Sequence, residues 1–216
     1  MARSGWRGGL TISGTLVSME GYNIRWLVEE AYGLKNYQLS FAALRNRADI
    51  DDVFYDVIAR APGEGVLAKE QFREMLKTLL ADRFQLAVHH ESKEMPIYAL
   101  VVGRKEPKLK ENKAAEKCSM RGFPIEHAQG YAFKGCSTED FARILSEGVV
   151  DRPVLDRTGL VGPYDFTFIG MPYIRSPHPD DISPFSGIRE LGLKLEPQKA
   201  SIEIVVVDHV EKPTKN

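Results

Sequence analysis

Two tyrosine-aspartate pairs followed at one spacing by the same kinds of element constrain this chain more than any other feature. Tyr55 stands 31 residues before Leu86, and Tyr164 stands the same 31 residues before Leu195. Each interval holds a helical pattern and then a leucine-containing strand, "FQLAV" or "LKLE"; a strongly apolar strand follows, "IYALVV" or "IEIVVV". A chance agreement would have to preserve element order as well as distance. The spacing therefore predicts an α+β fold of two pseudo-repeats, each running strand-helix-strand-strand-helix-strand-strand, in mainly antiparallel or mixed sheets. The repeats are expected at residues 9–103 and 131–212. Residues 104–130 lie between them, beginning with the polar run "RKEPKLKENKAAEK", read as a mobile linker, and ending in a hairpin.

Helices are placed by apolar periodicity and end signals. Ile24, Leu27, Val28 and Ala31 share a face, with Asn23 as cap and Gly33 as stop. Phe72, Met75, Leu76, Leu79 and Leu80 mark the longest helix. Ser137 with Asp140 three residues on forms a capping box before Phe141, Ile144 and Leu145. Ser183, Pro184 and Gly192 bound a fourth helix. Strands are expected at 11–19, 53–59, 85–91, 96–102, 153–155, 164–169, 193–196 and 201–208. Most alternate apolar and polar residues, as half-buried sheets do.

Composition narrows the function classes. Lys+Arg 29 against Asp+Glu 30 leaves a net charge of −1 with the two signs interleaved, which speaks against a nucleic-acid partner. Apolar runs such as 97–102 and 202–207 are far shorter than a membrane-spanning helix needs, so no membrane span is expected. The opening "MARSGWRGGL" has no apolar core of an export signal, which fits a cytosolic protein or a mature form. Cys118 and Cys136, the only two cysteines, flank a hairpin with its loop near 126–130. Two thiols at a hairpin mouth come within disulfide reach; the other reading is two unrelated small buried residues. A disulfide would indicate an oxidising compartment.

The stretches "TLLADRFQLAVHHESKEMPIYALVV", "RPVLDRTGLVGPYDF" and "ELGLKLEPQKASIEIVVVDHVEKPTKN" together resemble a family of uncharacterised domains expanded in soil acidobacteria, and the resemblance runs from about Gly9 onward. It implies an exported protein, periplasmic or secreted, with relatives attached to antibiotic-responsive membrane sensor peptidases. It implies no shared catalytic residues.

Three groups of residues are candidates for chemistry. His89 and His90 are neighbours on a strand and point to opposite faces. If the last strands of the two repeats meet, one of them approaches Asp208 and His209, and imidazole with carboxylate makes a general base or a metal site. The plain alternative is solvent-facing strand positions. Asp49, Asp51 and Asp52 in "ADIDD", and His178, Asp180 and Asp181 in "HPDD", are acidic loops able to ligate a hard divalent cation such as calcium, without the spacing of an EF-hand. The Tyr-Asp pairs read as strand starts rather than a duplicated catalytic pair, and "LDRTGL" reads as a turn. Nucleophile elbows, zinc-peptidase motifs and phosphate loops are missing from the sequence. The expectation is an extracytoplasmic module that binds a small molecule or a protein partner, with no cofactor. The alternative is a metal-dependent hydrolase of small esters or lactones, such as acyl-homoserine lactones, using His89, His90, Asp208 or His209; a scaffold role is the third.

Overall fold

The computed structural model describes residues 9–44, 51–63, 65–125, 128–171 and 183–213. Among these, in chain order, lie β1 (Leu10–Ser13), β2 (Leu16–Tyr22), α1 (Ile24–Tyr32), β3 (Leu39–Ser40), β4 (Tyr55–Arg60), α2 (Lys69–Phe84), β5 (Ala87–Val102), β6 (Lys110–Glu111), β7 (Ser119–Ile125), β8 (Ala128–Cys136), α3 (Thr138–Ser146), β9 (Val154–Asp156), β10 (Tyr164–Met171), α4 (Pro184–Glu190) and β11 (Leu193–His209). The sheets are antiparallel and mixed, so the fold is α+β. Contacts divide the chain into two units, residues 1–93 with 202–216 and residues 94–201. These bounds differ from the contiguous repeats expected from sequence, because β5 and β11 each give one end to either unit.

In the first unit β1 turns at Gly14, whose φ is 60°, into β2, and β4 pairs on the other side of β2. The sequence suggested one strand over 11–19. Gly14 breaks it because a positive φ costs glycine nothing. α1 starts where the Asn23 side chain accepts the Trp26 N–H and ends at Gly33 in the left-handed conformation. Phe72, Leu76, Leu80 and Phe84 recur every four residues on α2 and are buried with Val17, Met19, Leu27 and Val28. Val205 and Val207 of β11 join the same core, and Val205 pairs in parallel with Leu39 of β3. Burying each such side chain is worth about 1.5–3 kcal/mol, and this apolar face is what holds α2 in place.

The second unit carries a four-stranded sheet ordered β6-β10-β8-β7. β7 and β8 form an antiparallel hairpin, and Cys118 is joined to Cys136 by a disulfide across its open end, with Cα atoms 4.3 Å apart. Its core is aromatic: Phe133 and Phe166 stack at 4.6 Å, and Phe141 meets Phe166 and Phe168 edge-on at 5.1 Å. α3 begins with the Ser137–Asp140 capping box. α4 lies so close to β10 that a Cβ on Gly187 would collide with the Ile169 carbonyl.

Two sequence expectations are corrected. The strands read as 85–91 and 96–102 are one strand, β5, and those read as 193–196 and 201–208 are one strand, β11. Polar residues and Pro96 or Pro197 at their centres looked like turn signals. β9 pairs with β5 only at 98–100, and β3 with β11 only at 205–206. At each proline one strand edge thus has no partner among the described residues, the setting in which a strand tolerates proline. The polar run at 104–117 is not simply a tether either: Lys108 N–H donates to Leu191 O, β6 pairs with β10, and Asn112 N–H donates to Pro163 O. Leu109, inside the run, packs against the aromatic core and anchors it.

Candidate functional site

A cleft of about 810 Å³ opens in the second unit, a size suited to a small ligand. Two glycines form it. Gly103 N–H donates to Gly192 O at 2.8 Å, and a Cβ on Gly192 would run into the backbone of Glu106 and Pro107, so only glycine lets the loop after β5 lie directly on the turn after α4. Val102, which is 40% exposed, supplies apolar surface to the cleft. Four cations line it, Arg104, Lys105, Arg189 and Lys194, against two acids, Glu190 and Glu196.

The acids are already engaged. Lys194 reaches Glu196 at 2.9 Å and Lys108 reaches Glu190 at 3.6 Å. The Arg189 guanidinium donates to Ser186 Oγ at 3.2 Å. Among the described residues Arg104 and Lys105 have no acidic partner, so the cleft presents uncompensated positive charge beside apolar surface. No motif marks it in the sequence. Arg104 and Lys105 sit in the run read as a linker, and the available signal was the pair of glycines with basic residues one or two positions on, in "GRK" and "GLK".

The residues singled out from sequence lie elsewhere. His89 Nδ1 stands 2.9 Å from both carboxylate oxygens of Asp208, the two on neighbouring strands within the first unit. Both side chains are about half exposed, at 51% and 43%. His209 turns instead to Glu211 at 3.0 Å, and His90 is exposed. The structure thus joins His89 to Asp208 and leaves His90 and His209 out of that contact; none of the four lines the cleft.

Asp51 is held by Arg25 through bonds of 2.7 and 3.2 Å, and this pairing raises the Arg25 pKa further. Asp52 is exposed. Asp49, His178, Asp180 and Asp181 lie outside the described residues. Among the described residues no group of three or more His, Cys, Asp or Glu is arranged to hold a metal ion.

Each Tyr-Asp aspartate anchors its sheet. Asp56 accepts the N–H of Gly21 at 2.7 Å, and Asp165 accepts the N–H of Gly135 at 2.8 Å. Both glycines have positive φ, 69° and 62°, and both stand two residues before a helix cap, Asn23 or Ser137. The strand register slips at both places, a β-bulge whose extra N–H the aspartate captures. Asp165 also accepts from Asn112 Nδ2 at 2.9 Å, and these two hydrogen bonds, Asn112 first, hold its pKa below the usual carboxylate value. In "LDRTGL", Asp156 binds the Thr138 hydroxyl and the Thr158 N–H, and Gly159 has φ 70°, a turn fastened to the start of α3.

The fold and cleft define a two-unit α+β protein with a cation-rich cleft and no recognisable catalytic set among the described residues. By sequence the chain belongs to the family described as "Protein of unknown function (DUF3738)", whose model matches residues 25–210. No curated protein and no solved structure matches it.

Proposed function

We propose that this protein is an extracytoplasmic binding module, sensory in role, whose second unit holds a small anionic molecule in the cleft. The observation that carries the reading is the pair of cations without acidic partners among the described residues, Arg104 and Lys105, beside a cleft of about 810 Å³ that also offers apolar surface. A carboxylate or phosphate about 4 Å from one such cation gains up to about 4 kcal/mol near a protein surface, and apolar parts of the ligand gain by burial against the exposed Val102. The disulfide supports an oxidising compartment, and the resemblance to exported, sensor-attached relatives supports a sensory role. The matching Asp-to-glycine contacts support reading the units as copies of one α+β ancestor, of which the second carries the cleft.

The test is calorimetric titration with a panel of small carboxylates and phosphate monoesters. At least one member is expected to bind, with affinity falling as salt rises and falling roughly tenfold when Arg104 and Lys105 are both changed to Ala. Binding that is identical in wild type and variant, or absent across the panel, overturns the reading.

A second reading rests on the contact between His89 and Asp208: a hydrolase of small esters or lactones, with a divalent cation such as calcium activating water. Hydrolysis of such substrates, acyl-homoserine lactones included, that stops with chelator and with His89→Ala would favour it. Equal rates in His89→Ala and wild type remove it.

A further inference from the structure

The two units treat one strand edge differently, and the difference indicates a docking site. In the second unit the sheet runs β7-β8-β10-β6, and β6 lies along the outer edge of the Tyr-Asp strand β10, with Asp165 opposite Lys110 and Tyr164 opposite Glu111. In the first unit the sheet runs β1-β2-β4, and among the described residues the Tyr-Asp strand β4 is its outer strand. Along β4 lies a groove of about 400 Å³, lined by residues 55–58, Leu79 and Arg83 of α2, and Pro213.

Hydrogen-bonding capacity faces that groove. Ala61 N–H donates to Thr15 O, and antiparallel ladders alternate. The N–H groups of Val57 and Ala59 therefore face β2, while those of Asp56, Ile58 and Arg60 face outward. Ile58 is 76% exposed, high for a β-branched residue in a sheet. Asp56 gives one carboxylate oxygen to Gly21, whereas its counterpart Asp165 binds both Gly135 and the Asn112 side chain that follows β6. An extended segment with Asn or Lys opposite Asp56 would complete the first sheet as β6 completes the second.

We propose that the open edge of β4 accepts one extended strand from a partner protein, antiparallel, with a Lys or Asn side chain set against Asp56. Main-chain hydrogen bonds to the edge give affinity, and the carboxylate and the floor beside Leu79 give selectivity, as in other strand additions. Free edges of this kind are normally blunted or covered. The site lies in the first unit and is independent of the cleft in the second.

The probe is a synthetic peptide of residues 107–115, "PKLKENKAA", added to the intact protein, with amide hydrogen exchange read by NMR. Ile58 N–H is expected to exchange roughly tenfold more slowly at about ten times the peptide Kd, while Val57 and Ala59, bonded to β2, change little. A peptide with Glu and Ala in place of its Lys and Asn should lose this effect. Ile58→Pro, which removes an outward donor without touching the β2 ladder, should abolish binding, and Ile58→Thr should keep it. Protection of Asp56, Ile58 and Arg60 unchanged by peptide overturns the proposal. So does protection already present without peptide: if it grows with protein concentration a second copy covers the edge, and if it does not the chain covers itself.

Discussion

The first unit gains its cohesion from a long helix, and the second from cross-links around a short one. α2 runs 16 residues and buries Phe72, Leu76, Leu80 and Phe84, whereas α4, in the corresponding place between the Tyr-Asp strand and a long strand, has 7 residues. Seven residues are too few to be stable alone. The second unit makes up the deficit with four interlocked phenylalanines, a disulfide and a fourth sheet strand. Yet both keep the bulge glycine, its aspartate and the helix cap two residues on. The comparison teaches that the same bulge can accompany two different means of burying a sheet face.

Four experiments would break or sharpen that contrast. The largest effect is expected from core truncation. Phe141→Ala should cost about 3–5 kcal/mol, read as lost amide protection in residues 94–201, and Leu80→Ala about 2–5 kcal/mol, read in the first unit. If either substitution unfolds both units together, the contrast between separate cores fails. Next, removing the disulfide with Cys118→Ser and Cys136→Ser, a cross-link between residues 18 apart, should cost about 3 kcal/mol in urea unfolding and leave the amides of α2 unaffected.

The third concerns the anchors. Asp56→Ala strands the Gly21 N–H and should cost about 1 kcal/mol; Asp165→Ala should cost more, because Asn112 loses its partner too. Asp165 has a folded pKa below its unfolded one. Its contribution is therefore complete above the unfolded value of about 4 and is lost as pH falls from there through the folded value. Acid unfolding of the second unit should lose that component in Asp165→Ala. The smallest change is at the end of α2, where Gln85 holds φ 50°, the one non-glycine left-handed residue among those described. Gln85→Gly relieves the backbone and loses the side-chain bond to Asp82 O, so melting temperature should rise by no more than a few degrees.

Local chemistry was legible in the sequence where one segment carries its own signal. The ends of α1 at Asn23 and Gly33, the Ser137–Asp140 box and the Gly159 turn are each written within a few residues. Ser183 was read as a cap on the same grounds, but its side chain makes no capping bond, and Pro184 alone starts α4. Pairings between distant segments were not legible. β6 looks like a polar tether until β10 is beside it, and β5 and β11 look interrupted until their open edges are known. The cleft was hidden for the same reason, since Arg104 and Arg189 are brought together by the contact of Gly103 with Gly192. The histidines attracted notice because imidazole is rare and reactive, yet only His89 meets the expected carboxylate.

The first unit's dependence on β11 also sets a timetable for synthesis. Val205 and Val207 belong to its core, while every residue of the second unit precedes Ile202. As the chain emerges from the ribosome, residues 94–201 are all made before the first unit's core receives Val205 and Val207 from β11. Of these two units, the one whose synthesis begins earlier is thus completed later, and through that interval its core lacks the β11 side chains that help close it.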